Sequence, residues 1–577
     1  MERLWKMCHR QESCRTLLAR TRWWLACRAR LPAVSPHMSS LPNAPECATE
    51  PQRGVGTYRQ RLAKTGKGRV HCLYSSTHRR HARIIRGRGQ RGATRARGHG
   101  AVSGRVGIAA GSSRRVRSER GADMQAQDPG PSATANGTAA QAPPGHPRWG
   151  HAREFDRDPL VYVRWLARAY GDIVPLRLPP QRVIFFNHPA LVEEVLLTHQ
   201  RSFVKGTMVH RLGEVIGQGL ITSDDVLWRS QRRLIQPAFH QARIARYGAQ
   251  MAGHAERLID TWQDGQAREI QLDMRRLTLG IICRTLFGVD VDAEASELGQ
   301  AFGVAIDAVG GRAPATSGAF ASVAPLPGRV RLWRSRRRLH ALVDRIVRER
   351  GQPGEHGDLV SMLLAARYED GRPMSSRQVR DEVLTIVLAG HETTTVGLTW
   401  LWYLLAQHPD VESALLAEID RVLGDRLPGV DDLPSLVFTG QVVLEVLRLY
   451  PPIWALAREA AQDIEIGGLL LRTGDVALCS QWTMHRDERY FERPDIFEPE
   501  RWADGLERRL PRFAYFPFSS GPRQCLGKAF ALMEMTLVLA TIARRFRLTL
   551  GSAQTITPRA GVTARPMPGV RLVPHRR

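Results

Sequence analysis

The chain has 577 residues, 43% hydrophobic and 24% charged, a globular composition that excludes a collagen-like or wholly disordered protein. Its net charge of +27 is lopsided: residues 1–123 hold 27 Lys and Arg against six acids, which leaves a near-ordinary balance for the rest. Five of the eight cysteines also fall in that first part. The remaining three, Cys283, Cys479 and Cys525, are widely spaced, which argues against a disulfide framework and for a reducing, cytoplasmic setting.

Residues 1–123 include "HRRHARIIRGRGQRGATRARGHG" and "GSSRRVRSER", rich in Arg, Gly and Ser and without apolar periodicity. Such a segment buries too little surface to offset its ordering entropy, and it is expected to be a disordered basic leader. Three origins stand side by side. Translation of the working protein starts at Met124, or the leader is a nucleic-acid or membrane-surface arm, or it is an Arg-rich transit peptide. Residues 124–147 read as a Pro/Ala/Gly linker, and 148–577 as one catalytic domain.

Within that domain, "PLVYVRWLARAYG" (159–171) has helical spacing ended by Gly171. "DIVPLRL" and "RVIFFNH" predict two strands around a Pro-Pro turn, and "PALVEEVLLTH" a helix with Pro in its first turn. From about 225 to 460 the pattern is almost all helical, with loops at "GGRAPATSG" and "RGQPGEHGD". Residues 463–480 return to strand alternation around a Gly-Gly turn. A long helix is expected from about Leu526, then short strands. The fold class is mainly α with a minor β-sheet region. The apolar run 383–406 is long enough to span a bilayer, but its central His391, Glu392 and threonines make it a core helix.

Four constellations carry candidate chemistry. Cys525 lies in "FSSGPRQCLG", where glycines permit close backbone approach and Arg523 and helix-terminal amides favour thiolate. Such a cysteine is a packed apolar residue, a nucleophile or a metal ligand. No Cys or His at zinc spacing accompanies it, whereas a thiolate receiving backbone hydrogen bonds suits haem iron. In "AGHETTT" (389–395), Gly390 and the Thr run are poor helix formers whose hydroxyls open the helix locally, beside the acid–alcohol pair Glu392-Thr393. A zinc-protease reading fails because Thr395 stands where a second His is needed. Glu445 and Arg448 share a helix face at i, i+3, as do Trp228 and Arg232 at i, i+4. Each alone is an ordinary pair.

In this order, the four resemble the cytochrome P450 family of haem-thiolate monooxygenases, soluble bacterial type, over about residues 145–575. The family's Phe-x-x-Gly-x-Arg-x-Cys-x-Gly loop is matched at Phe518, Gly521, Arg523, Cys525 and Gly527. Its oxygen-activating helix is matched at Ala389, Gly390, Glu392, Thr393 and Thr394, and its Glu-x-x-Arg pair at Glu445 and Arg448. "FEPERW" matches the Pro-Glu-Arg-Phe segment with Trp502 in place of Phe, and Arg501 completes a structural triad. The resemblance implies a large helical body around a buried haem b. Cys525 is then the axial ligand, Trp228, Arg232, Arg458 and Arg523 are propionate partners, and Glu392 and Thr393 supply protons to the reacting dioxygen. Phe518 and Gly527 line the cofactor.

The reaction implied is monooxygenation of a lipophilic substrate, because the acid–alcohol pair is retained. A peroxide-using oxygenase or isomerase, or a haem sensor with a basic nucleic-acid arm, are the alternatives. The chain ends about fifty residues past Cys525 and its three scattered cysteines hold no iron–sulfur cluster, so a separate ferredoxin or flavodoxin with its reductase is expected. Arg229, Arg233 and Lys528 are candidates for its docking face. By the same resemblance the substrate pocket draws on residues 205–222 and on Ala389, Ile453, Trp454, Leu456 and Val562, the named residues being apolar. The chain is expected to be a monomer without a transmembrane anchor.

Overall fold

Asp158 accepts the N–H groups of Leu160 and Val161 at 3.0 and 3.2 Å, and Pro159 occupies the first turn, so the first long helix starts where its spacing predicts. It ends at Gly171, whose φ of 84° suits a residue without Cβ. The computed structural model describes residues 141–291, 295–310, 326–349 and 358–577. The basic leader, most of the linker and nearly all of the two loops expected at 310–318 and 350–358 lie outside the described residues.

The described helices of ten or more residues are α1 (Pro159–Tyr170), α2 (Thr207–Ile216), α3 (Asp225–Ile235), α4 (Gly248–Asp260), α5 (Ile270–Phe287), α6 (Ala295–Gly310), α7 (Leu326–Glu349), α8 (Ser376–Leu405), α9 (Pro409–Leu423), α10 (Val437–Leu449) and α11 (Lys528–Arg545). The strands are β1 (Ile173–Leu178), β2 (Gln181–Phe186), β3 (Phe203–Val204), β4 (Arg268–Glu269), β5 (Leu456–Ala460), β6 (Ile464–Ile466), β7 (Leu469–Leu471), β8 (Val476–Cys479), β9 (Phe546–Thr549), β10 (Thr557–Ala560), β11 (Ala564–Met567) and β12 (Arg571–Arg576). The largest sheet has the order β1-β2-β8-β5-β3, antiparallel except for the parallel β2–β8 pair. One extended core joins the long helices, and two smaller cores cover the two faces of this sheet. The expected class, mainly α with minor sheet, is the observed one.

Three expectations need correction. The helix from Pro189 is α-helical only to Glu193 and continues as a π-turn over Glu194–Thr198. The Leu196 carbonyl of that turn lies against Gly521, where an added Cβ would stand 2.7 Å from it. The stretch 225–460 is interrupted by β4 and β5, which pair with strands far along the chain and are too short to show a period of their own. The helix after the Cys loop begins at Lys528, with Gly527 as its N-cap, rather than at Leu526.

Helix α8 runs through the middle of the body. Ser375 caps it, accepting from the Gln378 N–H at 3.1 Å. Nearly all of it is buried, and no described helix is long and apolar enough to cross a membrane. Its His391 packs beside Phe302, with ring centroids 5.4 Å apart. Neither ring nitrogen meets a partner among the described residues, and burial lowers the imidazole pKa to about 4.

Glu445 on α10 has no exposed side-chain surface. It accepts from Arg448 Nε and Nη2 at 2.9 and 2.8 Å, Arg501 Nε at 2.9 Å, Trp502 Nε1 at 2.9 Å and the Glu498 N–H at 3.0 Å. Arg448 spends its other donors on the carbonyls of His485, Pro494 and Ile496, at 2.8, 2.6 and 3.0 Å. The carboxylate therefore bolts α10 to the irregular chain that leads to Cys525.

Glu445→Ala leaves the fully buried Arg448 without its counter-charge, and Arg501 with Glu498 alone at 3.0 Å, and is expected to cost about 3–5 kcal/mol, read as a lower urea midpoint. His391 supplies a pH signature. Its folded pKa lies below the unfolded value, so between pH 6.5 and 4 the unfolded chain binds more protons and stability falls with acid. In His391→Leu the decline over that window should shrink, by on the order of 3 kcal/mol between its ends. Urea unfolding at pH 7 and pH 4 measures the difference.

Candidate active site

The loop before α11 is held by its own backbone. The Cys525 N–H donates to the Phe518 carbonyl at 3.0 Å and the Gln524 N–H to the Gly521 carbonyl at 3.0 Å. Gly521 has φ of 72°, and Phe518 and Gly527 flank the thiol, both half-buried. The Gly527 N–H donates to Cys525 Sγ. Cys525 is exposed although protein surrounds it, as expected of a side chain lining a cleft. Burial raises its pKa, more than the Gly527 N–H and the Arg232 charge lower it. The expected amide and arginine contributions are both present, the arginine being Arg232 rather than Arg523, but desolvation is the larger effect.

Cations gather beside this loop. Arg232 Nη1 donates to the Gln524 carbonyl at 2.9 Å, and the Trp228 ring lies 4.3 Å from Arg523 Cζ and 5.8 Å from Arg232 Cζ. Arg523 Nη2 pairs with Asp224 at 2.8 Å, while its Nη1 is buried with no partner among the described residues. Arg458 Nη1 donates to the Ala457 carbonyl at 2.9 Å; burial, then the nearby Arg523, lower its pKa to about 10. Lys205 donates to the Leu220 carbonyl at 2.6 Å and is lowered by burial, then by Arg523, to about 7. Cations crowded this way, with an unmatched buried donor, fit the carboxylates of a haem. Arg232, Arg458 and Arg523 would face them, and Cys525 Sγ the iron.

Helix α8 has a notch in its buried surface. Between 381 and 405 every residue is buried except Ala389, Gly390 and Thr393, which share one face at i, i+1, i+4. A Cβ on Gly390 would meet Ile282 at 2.7 Å, so the glycine permits close packing on α5. The helix is not opened: it is continuous, and Thr393 Oγ1 donates to the Ala389 carbonyl at 2.7 Å without breaking it. Thr395 and Thr399 do the same, to His391 and Thr395 carbonyls at 2.7 and 2.6 Å, which leaves the main-chain ladder intact. Glu392, buried beside Thr393, accepts through Oε1 from Thr563 Oγ1 at 3.0 Å and Arg565 Nε at 2.6 Å.

Ile453 and Leu456 are half-buried near the start of β5, and Trp454 Nε1 donates to the Gly561 carbonyl at 2.9 Å in the turn that carries half-buried Val562. Loop 217–220 is latched onto α8: the Gln218 and Leu220 N–H groups donate to Asp381 and Glu382, each at 2.9 Å. Burial raises the Glu382 pKa to about 8. The candidate docking cations are locally paired: Arg229 with Asp225 at 2.6 Å, Lys528 with Glu507 at 3.3 Å, and Arg233 with Glu369.

Sequence reasoning placed Lys205 only in the pocket segment and not among the cations beside the Cys loop, and it missed Asp224, Trp502 as a Glu445 donor, Thr563 and Arg565. Trp502 was visible only as a departure from a Phe position. Nothing local marks Arg565, which reaches Glu392 from 173 positions away.

A cytochrome P450 family model matches residues 141–570. Cyclooctatin synthase of Streptomyces melanosporofaciens is 38% identical over 442 residues, covering 76% of this chain and 95% of its own. Cyclooctat-9-en-7-ol 5-monooxygenase of the same organism is 38% identical over 414 residues, 71% of this chain and 90% of that one. Pentalenene oxygenase of Streptomyces avermitilis is 34% identical over 436 residues, with shares of 74% and 94%. The thiol in its glycine-bounded loop and the span of the match together establish that this chain belongs to the cytochrome P450 family of haem monooxygenases.

Proposed function

We propose that residues 148–577 form a haem b monooxygenase that hydroxylates or epoxidises a cyclic terpene, with electrons from a separate ferredoxin or flavodoxin, working as a cytoplasmic monomer. The observation that carries the reading is the convergence of Arg232, Arg458 and Arg523 on the Cys525 loop, with Arg523 Nη1 buried and unmatched. The haem, when bound, activates dioxygen at its iron. One oxygen atom enters the substrate, and the other leaves as water with two electrons from the redox partner and two protons.

The protein's part is binding, orientation and proton supply. Arg232, Arg458 and Arg523 hold the carboxylate edge. Cys525 Sγ, receiving the Gly527 N–H, would hold the haem iron through its thiolate. Thr393 Oγ1 spends its proton on the Ala389 carbonyl, so its lone pairs remain free to receive one in the cleft. Glu392, adjacent and buried, is the acid that relays protons to it. Ala389, Ile453, Trp454, Leu456 and Val562 shape the pocket. None of these five carries a charge to hold a carboxylate, and in segment 205–222 the Nζ of half-buried Lys205 is spent on the Leu220 carbonyl while Arg211 is exposed, which favours a terpene hydrocarbon or alcohol over a fatty acid, in keeping with relatives named for pentalenene and cyclooctat-9-en-7-ol. The acid–alcohol pair favours dioxygen over peroxide as oxidant. The leader 1–123 lies outside this domain.

Reduction under carbon monoxide should give the thiolate-shifted Soret band, and Cys525→Ala should abolish it. A variant that keeps the band refutes the axial role. On the same oxidised protein, terpene hydrocarbons and alcohols should shift the Soret band at micromolar concentration, and fatty acids of similar carbon number at least tenfold more weakly. A preference for the acids overturns the substrate class.

A further inference from the structure

The hairpin β10–β11 touches two sites at once. On one side its turn belongs to the candidate pocket. Val562 is half-buried there, the Gly561 carbonyl accepts from Trp454 Nε1 at 2.9 Å, and the Ala564 N–H donates to the Pro452 carbonyl at 2.9 Å. On the other side the same turn grips α8. Thr563 Oγ1 and Arg565 Nε both donate to Glu392 Oε1, at 3.0 and 2.6 Å, and Trp400 Nε1 donates to the Ala564 carbonyl at 2.9 Å. Val562 and Thr563 are adjacent in the chain, so no residue separates the pocket face of the turn from its grip on Glu392.

We propose that Thr563 and Arg565 are positioning residues through which the pocket-facing turn controls the Glu392 carboxylate, so that a bound substrate sets proton supply. The inference rests on the reading of Glu392 as the proton relay. A ligand shifts an equilibrium only through contacts that differ between its states. Val562 and Trp454 supply such contacts, because a molecule pressed against them bears on the strand that carries Arg565.

The charges around Glu392 make the grip adjustable. Arg565 Nη1 also pairs with Asp307 on α6 at 3.0 Å, and the Asp307 side chain is 71% exposed. Arg565 Nη2 is buried with no partner among the described residues, so the guanidinium has a donor those residues do not use. From α5, Arg275 interacts with Glu392 electrostatically, and its Nε is likewise unpartnered. His391, one residue away, is kept neutral by burial. The carboxylate thus sits between a guanidinium on the substrate-contacting hairpin and a second on a helix of the body. Both hydrogen bonds fall on Oε1, which leaves Oε2 to carry the proton towards Thr393. Small hairpin movements break a 2.6 Å contact to Arg565 while the Arg275 field persists, which moves the acid without stripping it of counter-charge.

The experiment uses the full-length, haem-loaded protein with the terpene that gives the largest Soret shift. Dioxygen that takes two electrons and two protons without oxygen transfer leaves as hydrogen peroxide, so the peroxide share of consumed electrons reports mistimed protons. Glu392→Gln is the reference variant. Thr563→Val and Arg565→Ala should each raise the peroxide share at least threefold while terpene affinity stays within twofold, and Arg565→Lys should recover half of the loss. Amide exchange over 560–567, read without terpene or electrons, should quicken at least threefold in Glu392→Gln and in Arg565→Ala, since the coupling is reciprocal. If Glu392→Gln uncouples while both hairpin variants match the parent, the coupling is refuted and the relay stands. If Glu392→Gln itself matches the parent, the relay reading falls and the coupling with it. Thr563→Val is nearly isosteric, so the test survives a folding defect in Arg565→Ala.

Discussion

A carboxylate with no water must be given donors, and Glu445 is given five. That requirement organises the half of the molecule that ends at the thiol. The donors come from Arg448, Glu498, Arg501 and Trp502, so a helix and an irregular segment fifty residues later are fastened at one point. The fastening propagates. Trp502 packs on Tyr515 at 4.5 Å between ring centroids, and the Tyr515 hydroxyl donates to the Leu444 carbonyl at 3.0 Å, back on α10. His485, whose carbonyl Arg448 holds, accepts the Phe516 N–H through Nε2 at 2.9 Å. Two residues on, the Phe518 carbonyl takes the Cys525 N–H. An irregular chain without ladder hydrogen bonds is positioned by a buried ion network, which is costly to assemble and more costly to break.

The site itself is built from the opposite imbalance. Around Cys525 there are more cations than the protein's own acids neutralise. Asp224 answers Arg523 on one side only, while Lys205 and Arg458 are pushed down in pKa by burial and by that same arginine. An apolar interior with excess positive charge is unfavourable by itself and favourable with an anionic edge bound, so binding energy is stored in the cradle. The raised Cys525 thiol follows the same logic: the environment disfavours a free thiolate and so favours one whose charge a metal shares.

Much of this was legible in the sequence because chemistry and spacing coincide there. The Cys loop is a compact signature, and α1, α8 and α11 announce themselves by long periodic runs. What was not legible has a common cause. β4 and β5 owe their existence to partners elsewhere in the chain, as β4 does to β12. The continuity of α8 was misjudged because the threonines bond backwards within the helix rather than opening it, and composition cannot distinguish the two. Arg565 carries no local signal at all, since its meaning depends on a carboxylate brought to it by the fold.

That last case bears on how the two faces of α8 divide their work. The notch of Ala389, Gly390 and Thr393 is small and lightly polar, as a surface beside a reacting centre must be if substrate and dioxygen are to share it. The carboxylate proposed to supply protons, Glu392, is kept out of that notch and is held by side chains from a different part of the chain. Placing the acid on the neighbouring face keeps its guanidinium partners from competing for the pocket, and it ties the acid to a hairpin that the pocket also contacts. A helix interior offers both addresses one residue apart, because consecutive positions differ by about 100° around its axis. The acid and the alcohol therefore adjoin in sequence while facing different environments, which is the arrangement the proposed relay from Glu392 to Thr393 requires.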